Sequence, residues 1–391
     1  MKKSILFLFA TLLVSNTNAQ NDSLHIDPLQ ISFFYPIGTA GTHSVKNGYI
    51  FSLNMIAGVT GAANGVELGG IANTNRYYNH GLQFAGICNI AGTTNIGGQV
   101  AGICNLIGGS TEGAQLAGIS NISGGGMTGV QAAGILNVNA DSATGAQLAG
   151  ITNIAESIDG LQAAGISNVA GSTEGCQIAG IANIAEKSNV QVAGIGNISG
   201  SIDGVQIGGI YNVAGDVKGI QLAGIINICD SIEGVPLALI SIVRKNGYRR
   251  WDIWGSEAFY INVSYKIGIR QLYTIISLGY KPGDRHNNTG FGLGLGTNMP
   301  IGQKSSIDFE AHIYQISRFL WMEEDNFMYT LRLNYVQHLG NRIALFAGPA
   351  FNILSTNYSS DAYKISPGYG KEYKGWNDWQ YWLGFSAGIR F

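Results

Sequence analysis

The phrase G-x-Q-x-A-G-I-x-N recurs eleven times between Gly65 and Asn227, and a chain built this way must use one structural unit over and over. The copies run from GVELGGIAN at Gly65, through GAQLAGISN at Gly113 and NVQVAGIGN at Asn189, to GIQLAGIIN at Gly219. Their third positions are Glu67, Gln83, Gln99, Gln115, Gln131, Gln147, Gln162, Gln177, Gln191, Gln206 and Gln221, spaced 14 to 16 residues apart. A fixed period of this length marks a repeat in which each copy buries surface against the next. Catalytic constellations are singular, so the pattern points away from an enzyme.

The amino terminus bears on location. Lys2 and Lys3 precede the apolar run from Ile5 to Val14, and Thr17-Asn18-Ala19 supplies small residues. Together these predict a signal peptide (1–19) cut after Ala19 and an exported mature chain. No later apolar run is long enough for a membrane helix of about 20 residues, so a membrane location requires strands closed into a barrel. Charged residues are only 12% of the chain, about half the usual ~25%. With a net charge of −2 and no basic cluster, nucleic acid is not an expected partner.

Three zones follow the signal: amino-terminal strands in 20–64, the repeats in 65–233, and an aromatic-rich zone in 234–391 with longer alternating runs. In the last run, QYWLGFSAGIRF, the residues Tyr381, Leu383, Phe385, Ala387, Ile389 and Phe391 share one face. Gln380, Trp382, Gly384, Ser386, Gly388 and Arg390 share the other. Alternating strands of about ten residues separated by turns suit a membrane barrel. In SSIDFEAHI, Asp308 and Glu310 lie on the polar face, and the next strand places Arg332 on its own polar face, so a charge pair inside a barrel is expected.

The closing strand and its terminal Phe391 resemble the assembly signal of bacterial outer-membrane barrels. The chain more widely resembles the glycine-rich surface-repeat proteins of Bacteroidetes and Leptospira outer membranes. That resemblance is carried by YPIGTAG at Tyr35, FSLNMIAG at Phe51, the repeats, and GVPLALISIVRKNG at Gly234. It implies a Gram-negative outer-membrane location, with membrane lipid and the barrel-assembly machinery as partners, but no activity and no functional residue.

Two all-β geometries satisfy the repeat. In the first, each 15–16-residue unit is one strand of an antiparallel outer-membrane barrel, about 22 strands in all. Even positions then face lipid. The third and ninth positions, Gln83, Gln99, Gln115, Gln131, Gln147, Gln162 and Gln177 with Asn89, Asn105, Asn121, Asn137 and Asn153, ring the lumen. Short polar segments such as AESID at Ala155 and AGSTE at Ala170 serve as hairpin loops. In the second, each unit is one coil of a β-solenoid attached to a smaller carboxy-terminal barrel, with in-register Gln, Ile and Asn ladders, and the invariant seventh-position isoleucine suits its dry interior. The first geometry is the expectation and implies a pore or passive conduit lined by amides. The second implies a surface scaffold or adhesion protein.

Enzyme motifs are weak. GFSAG at Gly384 matches G-x-S-x-G, but the catalytic form needs a strand-to-helix elbow and only three residues follow. The six histidines show no metal-ligand spacing, and Glu323-Glu324-Asp325 reads as a solvated loop. No cofactor is expected. Cys88 and Cys104 fall at the eighth position of adjacent units, and with Cys176 and Cys229 they read as free thiols.

Overall fold

The computed structural model describes residues 24–283, 287–317, 326–340, 342–356, 371–373 and 378–391. The signal segment 1–19 and the acidic run at Glu323 lie outside the described residues. The chain divides into two compact units, Met1–Gly209 and Ile210–Phe391. Among the described residues the sole helical element is the 3-10 turn Gly41–Lys46, and no helix is long and apolar enough to cross a membrane.

In the first unit the repeats are coils of a parallel β-solenoid, which is the second of the two geometries. Each coil has a longer and a shorter strand, such as Thr111–Ala117 and Ser120–Ser123. Equivalent strands of successive coils pair in parallel, like on like: Gln115 lies beside Gln131 and Asn121 beside Asn137. The solenoid starts before the first repeat phrase, because His25–Phe34 pairs in parallel with Asn47–Thr60. After Phe34 the chain turns back through Ile37–Gly38, which pairs antiparallel onto His25–Phe34.

The antiparallel repeat barrel is therefore overturned, and the reason lies in where the chain bends. The phrase is not one straight strand: its sixth and seventh positions form the coil corner. At Gly118 and Ile119 the backbone leaves one strand for the next, while the Ile119 and Ser120 N–H groups donate to the Ile103 carbonyl of the previous coil at 3.0 Å. A Cβ on Gly118 would stand 2.1 Å from the Gly102 carbonyl oxygen, so only glycine lets the coils stack this closely. Gly113 is held at φ 124° with a hypothetical Cβ 2.0 Å from the Gly97 carbonyl oxygen. The expected hairpin loops are the converse error, since Ala155–Asp159 lies inside the strand Thr152–Ala164 and Ala170–Glu174 inside Ser167–Ala179. Asn189 replaces the first glycine of its phrase, and the register slips at that place, between Ser188 and Val190.

The second unit contains further coils and a barrel. Asp216–Ala223 pairs in parallel with Ser231–Leu237, and Ile226–Cys229 with Ile240–Val243. Coil structure thus runs to Val243, past the change of texture at Gly234. The barrel follows as eight antiparallel strands: Tyr248–Ser256, Ile261–Gly268, Tyr273–Lys281, Asn288–Pro300, Ser305–Ser317, Phe327–His338, Ala344–Thr356 and Asp378–Arg390. The first and last pair, with Asp252 opposite Arg390, and close the cylinder. A short strand Lys371–Tyr373 adds to the last one. In Tyr248–Ser256 the alternation is blurred by Gly255 and two adjacent arginines, Arg249 and Arg250.

The parallel stacking makes a direct prediction. Cys88 and Cys104 are register partners, so their backbones lie about 5 Å apart. Spin labels on these two, with Cys176 and Cys229 replaced by Ala, will show strong short-range dipolar coupling. Antiparallel strands centred on the middle glycine would instead give an offset of roughly 13 Å, and that result would overturn the coil geometry.

Candidate functional site: an amide-cored solenoid and a plugged barrel

The solenoid interior is built from the third and ninth positions. Gln83, Gln99, Gln115, Gln131, Gln147, Gln162 and Gln177 are all fully buried, as are Asn89, Asn105, Asn121, Asn137 and Asn153. Each glutamine donates backward: Gln115 Nε2 to Gln99 Oε1 at 2.9 Å, Gln131 to Gln115 at 2.7 Å, Gln162 to Gln147 at 2.8 Å. Each asparagine donates forward: Asn105 Nδ2 to Asn121 Oδ1 at 2.8 Å, Asn121 to Asn137 and Asn137 to Asn153 at 2.9 Å. Asn121 Nδ2 also reaches the Ala132 carbonyl at 2.8 Å, tying side chain to the next coil's backbone. Two amide chains of opposite direction therefore run along the axis. A primary amide has donors and an acceptor, so identical residues stacked in register satisfy one another where water is absent.

The ladder has built ends. Glu67 stands where the other units of the first coils carry glutamine, and accepts from Gln83 Nε2 at 2.8 Å and Asn54 Nδ2 at 3.0 Å. The glutamine donors of the first unit point toward this end, so a carboxylate there accepts the last of them. In the second unit Pro236 and Ser241 face Gln221 and Asn227, so the amides of that unit are not continued there. Beside the amides runs an apolar strip that includes Met127, Ala143, Ala155, Ile158 and Ala170.

The seventh-position isoleucines are outside, contrary to the dry-interior expectation. Ile87, Ile103, Ile119, Ile135, Ile151 and Ile166 are all 40–42% exposed. The corner at the sixth and seventh positions turns them outward, while the polar residues on either side of it turn in. The solenoid is thus inverted relative to a soluble protein.

The barrel is inverted in the same sense. Trp251, Ile253, Leu278, Leu293, Leu331, Leu333, Leu383, Phe385 and Phe391 are exposed on its wall, while Asp252, Lys266, Asp308, Glu310, Arg332 and Arg390 are buried inside. Glu310 pairs with Arg332 and with Lys266. Asp308 is held by Arg390 at 2.6 Å and by Lys266 at 3.3 Å, not by Arg332. Arg390 forks onto Asp252 at 2.8 and 2.9 Å, and Lys266 reaches Asp252 at 2.7 Å. Three acids thus meet three bases, and Trp254, Phe259, Tyr314, Phe346 and Trp382 fill the space around them. An eight-stranded barrel is just wide enough for side chains to fill, and here they do.

Asp252, Lys266 and Arg390 complete the network that the sequence reading left as Asp308, Glu310 and Arg332. The signal was available in strand parity, since Lys266 shares a face with Asn262 and Ser264, and Arg390 with Ser386. Ser386 of the GFSAG motif is fully buried in a strand and donates to Asn334 at 2.9 Å, a geometry with no nucleophile elbow. Among the described residues no group of His, Cys, Asp and Glu is arranged to hold a metal ion, and the four cysteines are free. Burial and the neighbouring Cys104 push the Cys88 thiol up to about 12, which leaves it protonated. No protein-family model, curated protein or solved structure matches this chain.

Two measurements test the interior. Gln147→Leu strands the Gln162 amide donor in a buried site and will cost about 1–3 kcal/mol in denaturant unfolding. Burial raises the Glu67 carboxyl above the ordinary carboxylate value, although Gln83 and Asn54 donate to it. The folded state therefore holds that proton to higher pH than the unfolded chain does, and stability falls as pH rises from the ordinary value through the raised one. On going from about pH 8 to about pH 4 the wild type will gain stability relative to Glu67→Gln. A difference that stays flat over this range would show that the carboxyl titrates normally.

Proposed function

We propose that this chain is a non-enzymatic outer-membrane scaffold, in which the barrel is the anchor and the amide-cored solenoid is the part held at the membrane. One observation carries the reading: the barrel has an apolar wall around a plugged, charge-balanced interior. Such a cylinder is suited to lipid outside and offers no conduit within. This replaces the pore, because the glutamines and asparagines assigned to a lumen lie in ladders inside the coils. The proposal also takes in export through the segment 1–19, recognition of Phe391 by the barrel-assembly machinery, and the absence of a cofactor. The terminal strand supports the recognition step, since its apolar residues face outward while Trp382, Ser386 and Arg390 face in.

The test is purification in detergent followed by two readouts. The folded barrel will migrate differently in gels before and after boiling in SDS, and planar bilayers will show no steady single-channel conductance. Conductance that Gln115→Leu and Gln147→Leu alter would restore the pore. A chain that stays soluble without detergent and does not partition into liposomes would defeat the membrane reading.

A further inference from the structure

The outward isoleucines belong to a larger pattern that the anchor reading does not use. Going around one coil, the second and fourth positions face outward from the longer strand, the seventh sits on the corner, and the tenth faces outward from the shorter strand. In the first unit these carry Leu82, Phe84, Ile87 and Ile90, then Ala114, Leu116, Ile119 and Ile122, then Ala146, Leu148, Ile151 and Ile154. The opposite edge carries the charge: Glu112, Glu156, Asp159, Glu174, Glu186, Lys187 and Asp203 are all exposed there. Both broad faces and the edge between them are mainly apolar, with small polar residues such as Ser120 and Thr152 at the outward eighth position of the shorter strand, and the far edge is charged. A surface meant to lie flat on a partner has one apolar face; this one has two and a rim.

We propose that the isoleucine edge of the solenoid is immersed edge-on in one leaflet of a lipid bilayer, with its charged edge at the headgroups. The proposal rests on the anchor reading above. Three observations select acyl chains as the occupant. The apolar zone spans about five residues, from the corner back to the second position, or about 16 Å at ~3.3 Å per residue; half of a ~30 Å hydrocarbon core is about 15 Å. The longer-strand face carries a shallow apolar trough of about 880 Å³ across successive coils, lined by Val100, Leu116, Ala132, Leu148, Ala163 and Ile178. Its floor rises and falls with side-chain size, which mobile chains can follow. In the second unit, the coil edge at Leu239 and Ala238 borders an apolar groove of about 890 Å³ with the barrel wall residues Leu293, Ile313, Leu331 and Phe351. Thr274 Oγ1 donates to the Ala238 carbonyl at 2.8 Å and fixes that edge against the wall. The coil edge of the second unit therefore stands beside the surface that lipid covers if the barrel spans a membrane. The charged turn of the same coil, with Arg244 and Lys245, leads into the first barrel strand at the rim that bears Gly268–Tyr273 and Pro300–Ser305, the short connections.

The test uses the full chain without its four cysteines, reconstituted in phosphatidylcholine liposomes. Single cysteines at Ile119, Ile151, Ile225, Glu112, Glu174 and Leu333 carry an environment-sensitive fluorophore. Lipids with nitroxide on the acyl chain will quench the labels at 119, 151 and 225, and aqueous iodide will not; labels at 112 and 174 will show the reverse. Three separate edge positions guard against one variant failing to fold. The label on the barrel wall at 333 separates the two readings. If it is quenched by acyl-chain nitroxide while the edge labels answer to iodide, the edge lies in water and this inference fails alone. Edge labels shielded from both quenchers mean that protein covers the edge, a second copy included, and also overturn it. Iodide quenching at 333 as well removes the anchor reading along with it.

Discussion

Everything distinctive here depends on stacking identical amides in a dry interior. A buried amide without partners costs several kcal/mol in an apolar surrounding, so a column of Gln or Asn is tolerable only if each copy sits directly over the next. That requirement sets the parallel register, fixes the coil rise at one strand spacing, and forces glycine where backbones approach, as at Gly118 and Gly113. Within that register the two rows run in opposite directions, Gln donating to the previous coil and Asn to the next. Glu67 ends the glutamine row of the first unit, and in the second unit Pro236 and Ser241 stand where further amides would face Gln221 and Asn227.

With amides filling much of the interior, only a strip of apolar residues such as Met127 and Ile158 is housed inside, and the isoleucines of the corner stand outside. The barrel reaches the same inversion by different means. Its interior is filled by Asp252, Lys266, Asp308, Glu310, Arg332 and Arg390 in mutual contact, so charges that are costly to bury singly compensate one another. Its wall is then left to Leu, Ile, Phe and Trp. Both the coils and the barrel thus present large apolar side chains on the outside.

Much of this was legible in the residues. The alternation in QYWLGFSAGIRF assigned inside and outside correctly for the final strand, and parity put Glu310 and Arg332 on facing polar surfaces. Other features were hidden for physical reasons. Tyr248–Ser256 looks irregular because Arg249 and Arg250, at its start, lie near the barrel rim, where alternation is relaxed. The partners of Asp308 come from strands far away in sequence, Lys266 and Arg390, and no local pattern announces them. AESID and AGSTE have turn composition, yet a solenoid lets a strand run through such segments because parallel neighbours hold their backbone groups.

The sequence by itself determined that one unit is reused, that the chain is all-β, and that the last segments alternate as barrel strands. Only the tertiary structure decided how the units meet. The phrase is nearly symmetric about its central glycine, so an antiparallel neighbour sets Gln beside Asn and a parallel one sets Gln upon Gln; both satisfy the same local pattern. What separates them is the corner at the sixth and seventh positions. That bend carries isoleucine outward and amide inward, and it follows from the packing of whole coils against each other, which no single copy of the phrase contains.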